Sequence, residues 1–87
     1  MRPPTVFIIN DRGKDFSDAK RFGTLISLTH STLNRYNLAG MVEAFNRYLP
    51  SSTPQDFILH TGPSMMSAVA CAMFAARHKC LNLLIWQ

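Results

Sequence analysis

Apolar residues in this chain fall into four short runs and two longer periodic stripes, separated by turn-forming residues. Thr5 to Ile9 (TVFII) is β-branched and aromatic, and Asn10-Asp11-Arg12-Gly13 stops it, so the run predicts a first strand. Thr24 to Thr29 (TLISLT) alternates, with Thr24, Ile26 and Leu28 on one face and Leu25, Ser27 and Thr29 on the other. That mixed character suits an edge strand. Asp56 to His60 (DFILH) and Cys80 to Trp86 (CLNLLIW) predict a third and a fourth strand, the last apolar on nearly both faces.

Between the strands the period changes. Asp15 caps a short helix predicted over Phe16 to Phe22, with Asp18 near the positive end of its dipole and Gly23 at its exit. Leu38, Met41, Val42, Phe45 and Leu49 recur at the spacing of an amphipathic helix, which Pro50 is expected to close. Pro63 to His78 predicts a second long helix, with Met66, Val69, Ala70, Met73 and Phe74 on its apolar side. Ser64, Ser67, Ala68, Cys71 and Ala75 form a second face of small residues that lets a neighbour approach closely.

The order β-α-β-α-β-α-β predicts a single α/β domain over residues 1–87, three-layered or open-faced, with a four-stranded parallel sheet and three helices. The first and third strands read as central and the second as mixed, which gives strand order 2-1-3-4. Right-handed crossovers then put the short first helix alone on one face and the other two on the opposite face. One short helix covers a sheet face poorly. The chain is therefore expected to complete that cover by self-association or by docking onto a protein partner, with Phe16, Lys20 and Phe22 at the interface.

Composition narrows the class. With 47% hydrophobic and 16% charged residues, the chain is far from a disordered profile. Cys71 and Cys80 make neither a disulfide framework nor a zinc pattern, and no leader sequence opens the chain, so it reads as cytosolic. The longest apolar run, in the 65–76 region, is interrupted by Ser67 and falls short of the roughly 20 residues that cross a bilayer. No membrane association is expected. The net charge of +4 comes mainly from scattered residues, and the one basic cluster, Arg12 to Arg21, is partly neutralised by Asp11, Asp15 and Asp18. A solvated surface explains it, while Arg35-Tyr36 and Arg47-Tyr48 keep nucleic acid as a second partner class.

In open α/β sheets a ligand collects beyond the carboxyl ends of the strands, where the chain switches direction. Here that point lies between the first and third strands. Asp11 and Arg12 follow the first, His60, Thr61, Gly62 and Ser64 follow the third, and His30 ends the second nearby. Helix N–H groups, the Thr61 and Ser64 hydroxyls and the Arg12 guanidinium together can bind an anion. Against this, Pro63 has no N–H to offer, and neither G-x-x-x-x-G-K-[ST] nor G-x-G-x-x-G occurs. Gly62-Pro63 reads first as the start of a helix.

Asp11, His30 and His60 have the residue types of an acid-base group. No nucleophile accompanies them: G-x-S-x-G is absent, neither cysteine lies at a strand end facing a helix N-terminus, and the third strand ends in His60 where a phosphoacceptor would need an aspartate. His78-Lys79-Cys80, His30 and His60 match no metal-ligand spacing. No catalytic residue, metal or cofactor is predicted.

Three stretches carry a resemblance over most of the chain. They are Asp15-Phe16-Ser17-Asp18-Ala19 followed by Arg21-Phe22-Gly23, then Asp56-Phe57-Ile58-Leu59, then Ala70-Cys71-Ala72-Met73-Phe74-Ala75 leading through His78-Lys79 into Cys80-Leu81-Asn82-Leu83-Leu84. With these the chain resembles a group of small uncharacterised proteins of tailed bacteriophages. The resemblance implies a viral origin and supplies no catalytic residues. The resulting expectation is a non-enzymatic phage accessory protein, acting in the host cytoplasm, that binds a host or viral protein or itself. The alternative is a small nucleotide- or nucleic-acid-binding module using the strand ends.

Overall fold

A computed structural model describes residues 3–10, 15–29, 37–60 and 64–85. Four strands, β1 (Thr5–Ile8), β2 (Thr24–Ser27), β3 (Phe57–His60) and β4 (Leu83–Ile85), form one sheet. All pairings are parallel and the order is β2-β1-β3-β4, as the sequence predicts. Val6 pairs with Leu25 on one side and Phe57 on the other, and Ile58 pairs with Leu83.

Side chains alternate across a strand, so this register sorts the apolar residues into two layers. Phe7, Ile9, Ile26, Leu28 and Ile58 face the two α-helices, α1 (Leu38–Phe45) and α2 (Ser64–His78), and pack against Met41, Phe45, Met66, Ala70 and Phe74. Val6, Ile8, Leu25, Phe57, Leu59 and Leu84 face the other way, toward Phe16 and Ala19. The larger core therefore lies under the long helices.

The first helix forms as a 3-10 helix, Ser17–Phe22. Phe16, Ala19 and Phe22 are three residues apart, and a turn of three residues stacks them on one side, whereas an α-helix would fan them apart. Phe16 and Ala19 are buried by it. Asp15 still caps the turn: its Oδ1 accepts from the Ser17 backbone N–H at 2.9 Å. That bond, with the Ser17 hydroxyl and nearby Lys20, holds the Asp15 carboxyl below its ordinary 3.8.

α1 ends at Phe45, a turn earlier than the apolar stripe suggests, and Leu49 is carried instead by a short 3-10 helix, Leu49–Ser51. Pro50 sits at the start of that helix, where its missing N–H leaves no bond unmade. The start of α1 is fixed by Asn37, whose Oδ1 accepts from the Gly40 N–H at 3.0 Å. At the far end of α2, Lys79 takes φ 58, the left-handed conformation usual for glycine there, and its N–H donates to the Ala75 carbonyl at 2.7 Å. Gly23 permits the β1–β2 junction, since a Cβ there would lie 2.1 Å from the Pro4 carbonyl oxygen.

At the amino ends of the strands, Asp56 is completely buried. Its Oδ1 accepts from the Thr5 N–H and its Oδ2 from the Thr53 N–H, both at 2.8 Å. Asn82 joins β4 to the same point, its side-chain amide donating to the carbonyls of Pro54 (2.6 Å) and Asp56 (2.9 Å). One residue thus ties β1 to β3, and its backbone receives β4.

Two outcomes follow for stability. Asp56→Ala removes the acceptor for the buried Thr5 N–H and the part-buried Thr53 N–H, and urea denaturation should show a loss of about 2–4 kcal/mol; a loss below about 0.5 kcal/mol would contradict the clamp. Lys79→Gly removes the left-handed penalty and should raise the urea midpoint, by an amount equivalent to up to about 1 kcal/mol of unfolding free energy. A lower midpoint would contradict that reading.

Candidate functional site

Of the residues predicted to line a strand-end site, Asp11, Arg12, His30, Thr61 and Gly62 lie outside the described residues. Ser64 opens α2, and its side chain is likewise outside them. His60, the last residue of β3, is described and half-buried. The register puts it on the same face as Ile58, toward α2.

There its Nδ1 is hydrogen-bonded to Ser67 Oγ, one turn inside α2. Ser67 is buried, and its hydroxyl also serves Cys71 on the next turn. Burial pushes the Cys71 thiol above its ordinary 9.0, and the Ser67 hydroxyl offsets only part of this. The small-residue face of α2 is what lets the three polar atoms meet. In the sequence Ser67 and Cys71 count only as small residues of a helix face, and His60 at the neighbouring strand end is the signal that joins them.

On the opposite face of the sheet, Thr29 holds the carboxyl ends of β1 and β2 together. Its hydroxyl donates to the Ile9 carbonyl at 2.7 Å and lies 3.0 Å from Asn10 Oδ1. Asn10 and Thr29 are both buried. The strand ends are thus tied by side-chain polar groups on both faces.

Chemically, a serine beside a histidine is a nucleophile only where its oxygen can meet a substrate. Ser67, 4% exposed, uses its hydroxyl to hold α2 against β3. A thiol that is raised toward its neutral form is likewise a poor nucleophile. Among the described residues no three His, Cys, Asp or Glu side chains are placed to hold a metal ion.

The predicted interface residues separate. Phe16 is 5% exposed and belongs to the core, because the three-residue spacing of the 3-10 helix turns it inward. Lys20 is exposed. Phe22 is partly exposed, its ring 5.7 Å from that of Phe57 and capped by the Arg21 guanidinium at 5.1 Å. A shallow groove of about 290 Å³ opens beside it, lined by Asp18, Arg21, Phe22, Leu59, Leu84 and Ile85.

Among the described residues the most exposed large hydrophobic side chain, Ile85, lies on the edge strand β4. Leu83 is 41% and Ile85 59% exposed. Both share the face of Ile58 and His60, on which α2 packs against β3 and α1. The exposed apolar residues Leu83 and Ile85 thus lie along the β4 edge, and the groove beside Phe22 reaches the same strand at Leu84 and Ile85. The sequence predicts an interface on the sheet face around the short helix, with Phe16, Lys20 and Phe22, and of these Lys20 and Phe22 are exposed.

Comparison with known proteins places the chain in a family. The model of the Phage Pam3 gp32-like protein family matches residues 4–87, and the chain belongs to it. The similarity to small phage proteins read from the sequence is thereby borne out. No curated protein and no solved structure matches the chain. No helix among the described residues is long and apolar enough to cross a membrane.

The thiols give a direct check on the packing of α2 against β3. Cys80 is exposed and Cys71 half-buried. Under native conditions a maleimide should label Cys80 first and Cys71 at least about tenfold more slowly, with the difference abolished in denaturant. Equal native rates, followed by peptide mapping, would contradict the burial of Cys71.

Proposed function

We propose that this phage protein is a non-enzymatic accessory protein that acts in the host cytoplasm by docking a protein surface along the β4 edge of its sheet. The observation that carries the reading is the exposure of Leu83 and Ile85, 41% and 59%, on an edge strand. A sheet edge offers backbone donors and acceptors to any added strand, and proteins that must stay monomeric blunt it with lysine, proline or a bulge. Leu83-Leu84-Ile85 has none of these. The other edge strand, β2, opens on exposed Thr24 and is preceded by exposed Lys20.

The polar cluster at the strand ends fits a supporting role in the same reading. His60, Ser67, Asn10 and Thr29 hold the sheet and α2 in place, and a rigid sheet keeps the edge strand in register for a partner.

The reading predicts that a single charge at the edge abolishes docking without unfolding the chain. Ile85→Lys, whose circular dichroism should match that of the parent, is expected to lose at least about tenfold of the protein that the parent retains from a lysate of phage-infected cells. Equal recovery by parent and variant, quantified by mass spectrometry, would contradict docking at β4.

A further inference from the structure

We propose that the cleft between the carboxyl ends of α1 and α2 binds single-stranded nucleic acid, seating one base against its apolar wall and the neighbouring phosphates on the basic side chains around it. None of the cleft residues lies on β4, and neither reading depends on the other.

Two distant parts of the sequence meet at this cleft. α1 ends at Phe45, and the residues after it run through the short 3-10 helix Leu49–Ser51 to Ser52, whose hydroxyl lies 2.7 Å from His78 Nε2 at the end of α2. The His78 ring in turn stacks on Phe74, with 4.6 Å between centroids. These contacts hold the two helix ends at a fixed spacing. Between them opens a cleft of about 490 Å³, lined by Asn46, Leu49, Met73, Ala76 and Arg77. That is room for one base with its sugar.

Charge around the cleft is largely of one sign. Arg77 lines it, Arg47 follows Asn46 in the chain and Lys79 follows α2, and all three are exposed. Glu43 is the only acid in α1 or α2. The carboxyl end of a helix favours cations, which accounts for basic residues here but does not occupy their N–H donors. Among the described residues no hydrogen bond or ion pair engages the side chains of Arg47, Arg77 or Lys79. They are free to meet an anion.

The remaining groups select the kind of anion. Leu49 and Met73 give the cleft an apolar wall, Asn46 offers an amide, and Tyr48, 38% exposed, presents a ring beside Arg47. A nucleotide unit carries a counterpart for each: a base with an apolar face and a polar edge, joined to a phosphate. Cations interleaved with an exposed aromatic ring are how single strands are held without regard to sequence. An acidic peptide would match the charges and leave the ring and the apolar wall without a counterpart. A duplex keeps its base faces stacked and would do the same.

Fluorescence anisotropy with a labelled single strand of about 12 nucleotides tests the proposal. Contacts to three phosphates predict that affinity falls roughly twentyfold between about 50 and about 200 mM salt. Arg77→Gln should weaken binding at least about fivefold and flatten the salt dependence by one phosphate contact. Tyr48→Ala should also weaken it at least about fivefold, but with the salt dependence unchanged. Both residues are exposed, so the circular dichroism of each variant should match that of the parent. No anisotropy change with millimolar chain at low salt would overturn the inference. Polyglutamate or the matching duplex competing as well as the single strand would overturn it too, as would parent-like binding by Tyr48→Ala.

Discussion

The buried carboxyl of Asp56 is the constraint on which the rest of this small sheet depends. Strands of three or four residues contribute few ladder bonds each, and a slip of one residue would send every apolar side chain to the wrong face. Asp56 receives the backbone of Thr5 at the start of β1 and of Thr53 before β3, while Asn82 ties the start of β4 to the carbonyls of Pro54 and Asp56. With the amino ends pinned, Phe7, Ile9 and Ile58 meet the helices, and Val6, Ile8 and Leu59 meet the 3-10 helix.

The same constraint leads to the surface that β4 leaves open. Fixing Leu83 opposite Ile58 puts Leu83 and Ile85 on the helix-bearing face. α2 is held toward α1 and β3 by Met66, Ala70 and Phe74 and by the bond between His60 and Ser67, while Leu83 and Ile85 stay exposed. The apolar edge follows from a core that closes well around β1 and β3.

Much of this was legible in the sequence because it rests on pattern. The alternation in TLISLT marked β2 as an edge, the continuous runs in β1 and β3 marked them as central, and strand order and helix placement followed from crossover handedness. What was missed depends on contacts that spacing does not encode. Phe16 looked like a surface aromatic until the 3-10 turn aligned it with Ala19 and turned both inward. Pro50 looked like a helix terminator, and it opens a second short helix. Asp56 looked like the polar first residue of a strand, although Thr53 three positions earlier hinted at a local turn. Of the expected strand-end site, His60 alone has a described side chain, and its partner Ser67 was hidden among the small residues of α2.

The central claim is that the β4 edge is where this protein makes its association, through the outward backbone groups of Leu83 and Ile85. Amide hydrogen exchange measured residue by residue, on the free chain and on the chain bound to the protein it retains from a lysate of infected cells, tests it most directly. The account predicts that the Leu84 amide, turned toward β3, is protected in both, while the Leu83 and Ile85 amides exchange quickly in the free chain and become protected in the complex. Leu83 and Ile85 amides that exchange equally fast in both would contradict it.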